Sequence, residues 1–118
     1  MTESTAPHLP CLRLGKPYRS LNQSEVIDYR DGSVRATLSQ VNAGVMRRDL
    51  KSVGIAREAL QKFSTIELIE ICRKAGDAFL HETLPLGDDG IQQSPTDYLK
   101  TLSSTSGLPH NPVRFFVL

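Results

Sequence analysis

The longest regular pattern of hydrophobic and polar positions in the chain runs from Ser39 to Leu80. Its first half repeats apolar side chains at steps of three or four residues, at Met46, Leu50, Val53, Ala56, Leu60 and Phe63. On a helix of about 3.6 residues per turn, this spacing makes one apolar stripe. Arg57 and Glu58 lie off the stripe, so the pattern predicts an amphipathic helix over about residues 45–63.

A second helix is predicted over about residues 64–80. Ser64 and Glu67 have the spacing of a capping box, in which each side chain accepts a hydrogen bond from the other residue's backbone N–H. The next apolar stripe follows at Leu68, Ile71, Cys72, Ala75 and Phe79. Two amphipathic helices joined by almost no loop need a shared core. We therefore expect Leu60 and Leu68 to be buried between them.

A β-hairpin is predicted over residues 25–41, because Asp31-Gly32 is typical of a two-residue type I′ turn. This turn predicts the register Arg30 with Ser33, Tyr29 with Val34, Asp28 with Arg35, Ile27 with Ala36, and Glu25 with Leu38. The apolar side chains then share one face, and Asp28 and Arg35 form a cross-strand pair on the polar face. We expect the apolar face to lie on the helices.

A third helix is predicted over residues 95–106. Ser94 is a good N-cap, Pro95 suits the first helical position, and Asp97 lies near the positive end of the helix dipole. Gly107 can take the left-handed conformation that ends a helix. The apolar stripe of this helix is thin, so it needs a partner surface.

The remaining segments are short. Residues 1–10 are polar and proline-containing and are predicted to be a flexible arm. Cys11 to Leu14 is a candidate edge strand, followed by a turn at residues 15–17, and Val113 to Leu118 is a strand-like apolar run. The predicted fold is thus one α/β segment over residues 11–118, with a hairpin packed on two or three amphipathic helices.

Charge and composition limit the classes of partner and the compartment that we expect for the protein. The 118 residues carry 14 Lys and Arg against 13 Asp and Glu, a formal net charge of +1. This balance does not favour nucleic acid or an anionic membrane as a partner. The first residues are not expected to form a signal peptide, and no window is long and apolar enough to predict a membrane span. We therefore expect a cytoplasmic protein with Cys11 and Cys72 reduced.

The candidate chemistry is sparse. The stretch Gly87-Asp88-Asp89-Gly90 lacks the full pattern of a phosphate or calcium loop and is interpreted as an ordinary turn. His8, His81 and His110 have no carboxylate at metal-ligand spacing on the same element. Cys72 lies on an inward stripe, which disfavours a nucleophile, and Arg47 and Arg48 are interpreted as a solvated doublet. No catalytic, cofactor-binding or metal-binding residue is predicted.

The order of elements resembles the N-terminal part of the aldehyde dehydrogenase superfamily. The stretches that carry this resemblance are YRDGSVRATLSQ, RRDLKSVGIAREAL and FSTIELIEICRKAGDAFL. LRLGKPYRSL, KAGDAFLHETLPLGD and QSPTDYLKTLSSTSGLP look like the opening of a bacterial branch of aldehyde dehydrogenase-like proteins. The resemblance covers roughly Cys11 to Pro109 and includes none of the family's catalytic motifs.

The resemblance implies that the chain is a structural segment of an oxidoreductase that uses NAD or NADP. In the family this segment packs against the dinucleotide-binding domain, while the catalytic Cys and Glu lie further along the protein. The implied partner is the rest of a parent chain or a homo-oligomer, and no cofactor is expected on this chain alone. The alternative is a small standalone α/β interaction module without enzymatic activity.

Overall fold

The computed structural model describes residues 6–109 and is a small mixed α/β domain. Its strands are β1 (His8–Leu9), β2 (Cys11–Arg13), β3 (Lys16–Tyr18), β4 (Gln23–Ile27), β5 (Val34–Ser39), β6 (Leu84–Leu86) and β7 (Ile91–Gln93). Its helices are α1 (Ala43–Leu50), α2 (Val53–Leu60), α3 (Thr65–His81) and α4 (Pro95–Ser106). The expected α/β class is confirmed at this coarse level. The apolar run Val113 to Leu118 lies outside the described residues.

The main sheet has the strand order β1-β5-β4, with β5 in the centre. Strand β4 pairs antiparallel with β5, and β1 pairs parallel to β5 through His8 with Thr37 and Leu9 with Leu38. The backbone N–H of Thr37 also donates to the carbonyl of Pro7 at 2.9 Å. The described part of the expected N-terminal arm is therefore held on the sheet.

The predicted hairpin register is wrong by one residue. Strand β4 pairs Glu25 with Thr37 and Val26 with Ala36, and the register shifts again between Val26 and Ile27. The turn has a positive φ at Gly32 (72°) and not at Asp31, whereas a type I′ turn needs positive φ at both positions. The connection is instead a longer loop, closed by hydrogen bonds from Gly32 N–H to the Asp28 carbonyl and from Asp28 N–H to the Ser33 carbonyl.

This slip changes which side chains face inward, because neighbouring residues of a strand point to opposite faces. Ala36 is buried and Val26 is half-buried, but Ile27 is exposed. Asp28 and Arg35 do form the expected ion pair, at 2.7 Å. Asp28 is completely buried, however, and does not lie on a solvated polar face.

Two small hairpins flank the main sheet. Strands β2 and β3 pair antiparallel, so the predicted strand at Cys11 is confirmed, whereas Lys16 and Pro17 belong to β3 and not to a turn. The turn itself uses positive φ at Leu14 and Gly15. Strands β6 and β7 also pair antiparallel around residues 87–90, a hairpin that the sequence pattern did not predict.

The helix signals that depend on neighbouring residues are confirmed. Both halves of the Ser64–Glu67 capping box form at the start of α3. Ser94 and Asp97 form a second capping box at the start of α4, which ends at Gly107 with a φ of 74°. These bonds satisfy backbone groups at the helix ends that have no partner within the helix.

The predicted helix over residues 45–63 is divided into α1 and α2. Lys51 is the C-cap of α1 and Ser52 the N-cap of α2, although the Ser52 side chain makes no capping hydrogen bond. The division places Arg47 and Arg48 in the last turn of α1. There their positive charges complement the negative end of the helix dipole.

The described core is small and largely polar. Its buried apolar residues are Ala36 and Leu99, and its buried polar residues are His8, Ser20, Asp28, Ser39 and Ser104. The predicted two-helix core is wrong, because Leu60 is 57% exposed and Leu68 is only half-buried. Cys72, expected inside, is also exposed. The radius of gyration is 17.1 Å, whereas a compact chain of this length has about 13 Å.

Candidate interaction surface and polar clusters

The segment Ala43–His81, which contains α1, α2 and α3 and is called the helical arm below, exposes its apolar side chains. Within the described residues, none of the side chains on these three helices is buried. Ile66 is 79% exposed and Ile69 is 64% exposed on α3. Since large apolar side chains on an amphipathic helix normally face a core, this exposure identifies a candidate interaction surface.

The arm also forms an apolar groove with the β2–β3 hairpin. The groove has a volume of about 320 Å³ and is lined mainly by Leu12, Leu14, Val41, Met46, Leu50 and Val53. Leu12 is 72% exposed on one side and Leu50 is 64% exposed on the other. The first helix of the arm therefore also has exposed apolar side chains, at this groove.

One end of the arm is attached by a polar contact. Arg13 of β2 donates from Nε and Nη2 to the two carboxylate oxygens of Asp49 on α1, at 2.8 and 2.7 Å. Its guanidinium also lies 4.7 Å from the centre of the Tyr18 ring. Hydrogen bonding from Arg13 lowers the pKa of Asp49, and the same bonds raise the pKa of Arg13. This bidentate pair orients α1 against the β2–β3 hairpin.

The other end of the arm is attached by an aromatic contact. Phe79 of α3 meets Tyr98 of α4 edge to face, with ring centres 4.9 Å apart and planes at 75°. Edge-to-face pairs of this kind are favourable because the positive edge of one ring meets the negative face of the other. The last turns of α3 are thereby held against α4.

His8 is the centre of the first polar cluster. Its side chain is 1% exposed, and Nδ1 lies 2.9 Å from a carboxylate oxygen of Asp88 while Nε2 lies 3.0 Å from Oγ of Ser39. The backbone N–H of Ser20 donates to the same Ser39 Oγ at 2.9 Å. Partial burial acts to raise the pKa of Asp88, but the hydrogen bond from His8 and the nearby Arg19 lower it below the ordinary value.

The order serine, histidine, aspartate matches that of a hydrolytic triad, but the setting does not. Ser39 and His8 are both buried, and Oγ of Ser39 already accepts a hydrogen bond from the backbone. A nucleophile must reach a substrate carbonyl, whereas Ser39 is only 7% exposed. The cluster instead joins β1, β5 and the β6–β7 turn.

Asp28 is the centre of the second polar cluster. Its carboxylate accepts hydrogen bonds from the side chains of Arg30 and Arg35 and from the backbone N–H of Arg30. Arg30 is the main cause of a pKa of Asp28 well below its usual range, and Arg35 adds to the effect. The buried charge is thus fully compensated, and among the described residues every buried polar side-chain atom has a hydrogen-bond partner.

The structure separates the candidate residues that the sequence suggested. The two described histidines have separate partners: His8 lies beside Asp88 and Ser39, and Nδ1 of His81 lies 3.0 Å from the Asp77 carbonyl on α3. His110 lies outside the described residues. Arg47 and Arg48 are exposed. Within residues 6–109, no group of three or more His, Cys, Asp or Glu side chains is arranged to hold a metal ion.

Sequence reasoning did not predict the burial of His8 and Asp28, the residues at the centres of these clusters. His8 lies in a segment without periodicity, and its partner Asp88 is 80 residues away, so no local signal could have paired them. Asp28 was predicted to meet Arg35, but its burial follows from the longer loop and not from the strand pattern. The loop at residues 87–90 is a turn, as expected, and its carboxylates have a structural role in binding His8 and Arg19.

Comparison of the chain with protein-family models, with curated proteins and with solved structures found no match. Among the described residues, the longest apolar helical stretch is too short or too polar to cross a bilayer.

Proposed function

We propose that this chain is a non-catalytic structural segment of an aldehyde dehydrogenase-like oxidoreductase, and that its helical arm packs against the dinucleotide-binding domain of that protein. The single observation that carries the proposal is the absence of a buried side chain on any helix of the arm, as far as the described residues go. Amphipathic helices whose apolar faces remain exposed are typical of surfaces that pack in an assembly. The sequence resemblance supplies the identity of the partner.

The proposal assigns no chemical step to this chain. In the parent protein, a Cys elsewhere would form the thioester and NAD or NADP would accept the hydride. We tested the β6–β7 turn as a site for the cofactor, because among the described hairpins it has two glycines. Gly87 and Gly90 stand at its ends, and two carboxylates lie between them. A pyrophosphate needs a glycine-rich turn that opens a helix, so this loop does not fit the cofactor.

The reading frame downstream of codon 118 is the first test. We expect it to encode a glycine-rich dinucleotide-binding loop and a catalytic Cys, and an immediate stop codon would contradict the proposal. The isolated chain, incubated with a panel of aldehydes and NAD or NADP, should give no cofactor reduction. Clear turnover would show that the chain has a catalytic site of its own.

The second test addresses the arm directly. The purified chain should self-associate or bind an apolar dye strongly, because the arm lacks its partner. Replacing Ile66 and Ile69 together with Gln should reduce both effects and also weaken binding to the polypeptide encoded downstream of codon 118. Lys62→Gln, at an exposed polar position beside α3, is the matched control and should change neither.

The alternative is a standalone interaction module. It is favoured by one observation: the main sheet and α4 close through their own buried contacts at Leu99, Asp28 and His8. A module should be monodisperse and unfold in a single cooperative transition. Monodisperse behaviour without dye binding, together with a stop codon, would select the module over the enzyme segment.

A further inference from the structure

The second polar cluster holds two arginines in fixed positions at the surface. Arg30 contacts Asp28 through Nε and Nη2 at 3.0 and 2.8 Å, and Arg35 contacts it through the same two nitrogens at 3.1 and 2.7 Å. Asp28 is fully buried, while the side chains of Arg30 and Arg35 are 59% and 42% exposed. One carboxylate below the surface therefore orients two guanidinium groups that reach solvent.

Both guanidinium groups keep donors for a second ligand. A guanidinium has five N–H donors in a rigid fork, and each arginine uses only Nε and Nη2 on Asp28. The Nη1 group of each arginine is outside these bonds. Because Asp28 provides one negative charge for two positive ones, the cluster keeps an excess positive charge.

The arginines line a groove between the Asp28 loop and α4. The groove has a volume of about 440 Å³, and its other lining residues are Lys100, Thr101, Ser103 and Ser104. Three cations and three hydroxyl side chains therefore form its described wall, without a carboxylate among them. Asp31, in the same loop, directs its carboxylate to the backbone N–H of Ser33 at 2.9 Å and lies outside the wall.

The groove lies beside the last turns of α4, where helix carbonyls would normally repel an anion. Here those carbonyls are occupied. The Ser104 carbonyl accepts from Tyr29 N–H, the Ser103 carbonyl accepts from Gly107 N–H, and the Thr101 carbonyl accepts from the hydroxyls of Ser104 and Thr105. These hydrogen bonds reduce the negative electrostatic potential at the helix end. The potential in the groove is therefore set by the cations and is positive.

We propose that the groove lined by Arg30, Arg35 and Lys100 binds the phosphate group of a small phosphate monoester. A phosphate monoester carries about −1.5 to −2 charges at neutral pH and three acceptor oxygens. Two guanidinium forks and one ammonium match that charge and that number of acceptors better than they match a carboxylate, which has one charge and two oxygens. The site is independent of the helical arm.

The test is a titration of the full 118-residue chain, labelled with ¹⁵N, at low ionic strength. Glycerol 3-phosphate and inorganic phosphate are the two probes, and acetate at equal ionic strength is the control anion. We expect saturable shifts of the Nε–H signals of Arg30 and Arg35 and of the Thr101 amide with both phosphates. Tighter binding of the monoester than of inorganic phosphate would show that the groove also holds the organic part.

Two variants with the same charge change separate a site from general attraction. Lys100→Gln removes a cation of the groove without touching Asp28 and should weaken phosphate binding about fivefold or more. Lys62→Gln removes an exposed cation elsewhere and should change it by less than about 1.5-fold, the effect of screened charges. Equal effects of the two variants, or equal shifts with acetate, would overturn the proposal.

Discussion

The region formed by the main sheet and α4 differs from the helical arm in which side chains it buries. The sheet region buries charged and polar side chains, His8, Asp28 and Ser39 among them, and satisfies them with hydrogen bonds. The arm has stronger apolar stripes, yet none of its described helical side chains is buried. An apolar stripe therefore predicts that a surface needs a partner, but not that the partner lies in the same chain segment.

The first prediction compares the loss of stability on truncating a buried side chain of α4 with the loss on truncating an exposed side chain of the helical arm. Leu99→Ala on α4 should lower the free energy of unfolding by about 2–4 kcal/mol, because it removes one of the few buried apolar side chains and leaves a cavity. Leu60→Ala on α2 should cost less than about 0.5 kcal/mol, because Leu60 is exposed. Urea denaturation of both variants measures the difference. Similar losses at the two positions would contradict the exposure of the arm.

The second prediction concerns the contact between the β6–β7 turn and β1. A Cβ atom on Gly87 would lie 2.0 Å from the backbone carbonyl oxygen of His8, whereas one on Gly90 would meet nothing within 4 Å. Both glycines have a φ near 72°, so the conformational cost of Ala is shared. Gly87→Ala should therefore destabilise by about 2–3 kcal/mol and Gly90→Ala by about 1 kcal/mol.

Thermal unfolding followed by circular dichroism would compare these two variants. The close approach exists because Asp88 donates its backbone N–H to the same His8 carbonyl at 3.1 Å. If Gly87→Ala is no worse than Gly90→Ala, the β6–β7 turn does not pack on β1 as described.

The third prediction uses acid to test the buried Asp28 cluster. The pKa of Asp28 is lowered in the folded protein, chiefly by Arg30, so its ionised form favours folding above the ordinary Asp value of about 4. That contribution should be lost as the pH falls below this value. Asp28→Asn should lower the melting temperature by several degrees at pH 7 and flatten its decline in acid.

The effect of Asp28→Asn should be smaller than that of Leu99→Ala or Gly87→Ala, because the two arginines are partly exposed and can be hydrated without Asp28. Glu25→Gln, at an exposed position of β4, is the matched control and should leave the acid decline unchanged. If the melting temperatures of wild type and Asp28→Asn fall in parallel between about pH 5 and 2, Asp28 does not cause the pH dependence of stability.

Local contacts explain what could be predicted from the sequence. The capping box at Ser64, the N-cap Ser94 and the left-handed Gly107 were predicted correctly, because each depends on groups within a few residues of one another. The α/β class followed from the same local patterns. The position of the hairpin along the chain was also predicted: β4 and β5 pair on either side of Gly32, which takes a positive φ.

The tertiary structure decided the features that depend on distant partners. The register of β4 changed because the loop after Asp28 is longer than a two-residue turn, and one extra step reverses the faces of a strand. The pairing of β1 with β5, and of His8 with Asp88, joins segments that no local pattern relates. Periodicity located the apolar stripe that contains Leu60, but it does not indicate which surface, if any, covers that stripe. Only packing between distant elements sets burial, and for the helical arm the described residues do not provide that packing.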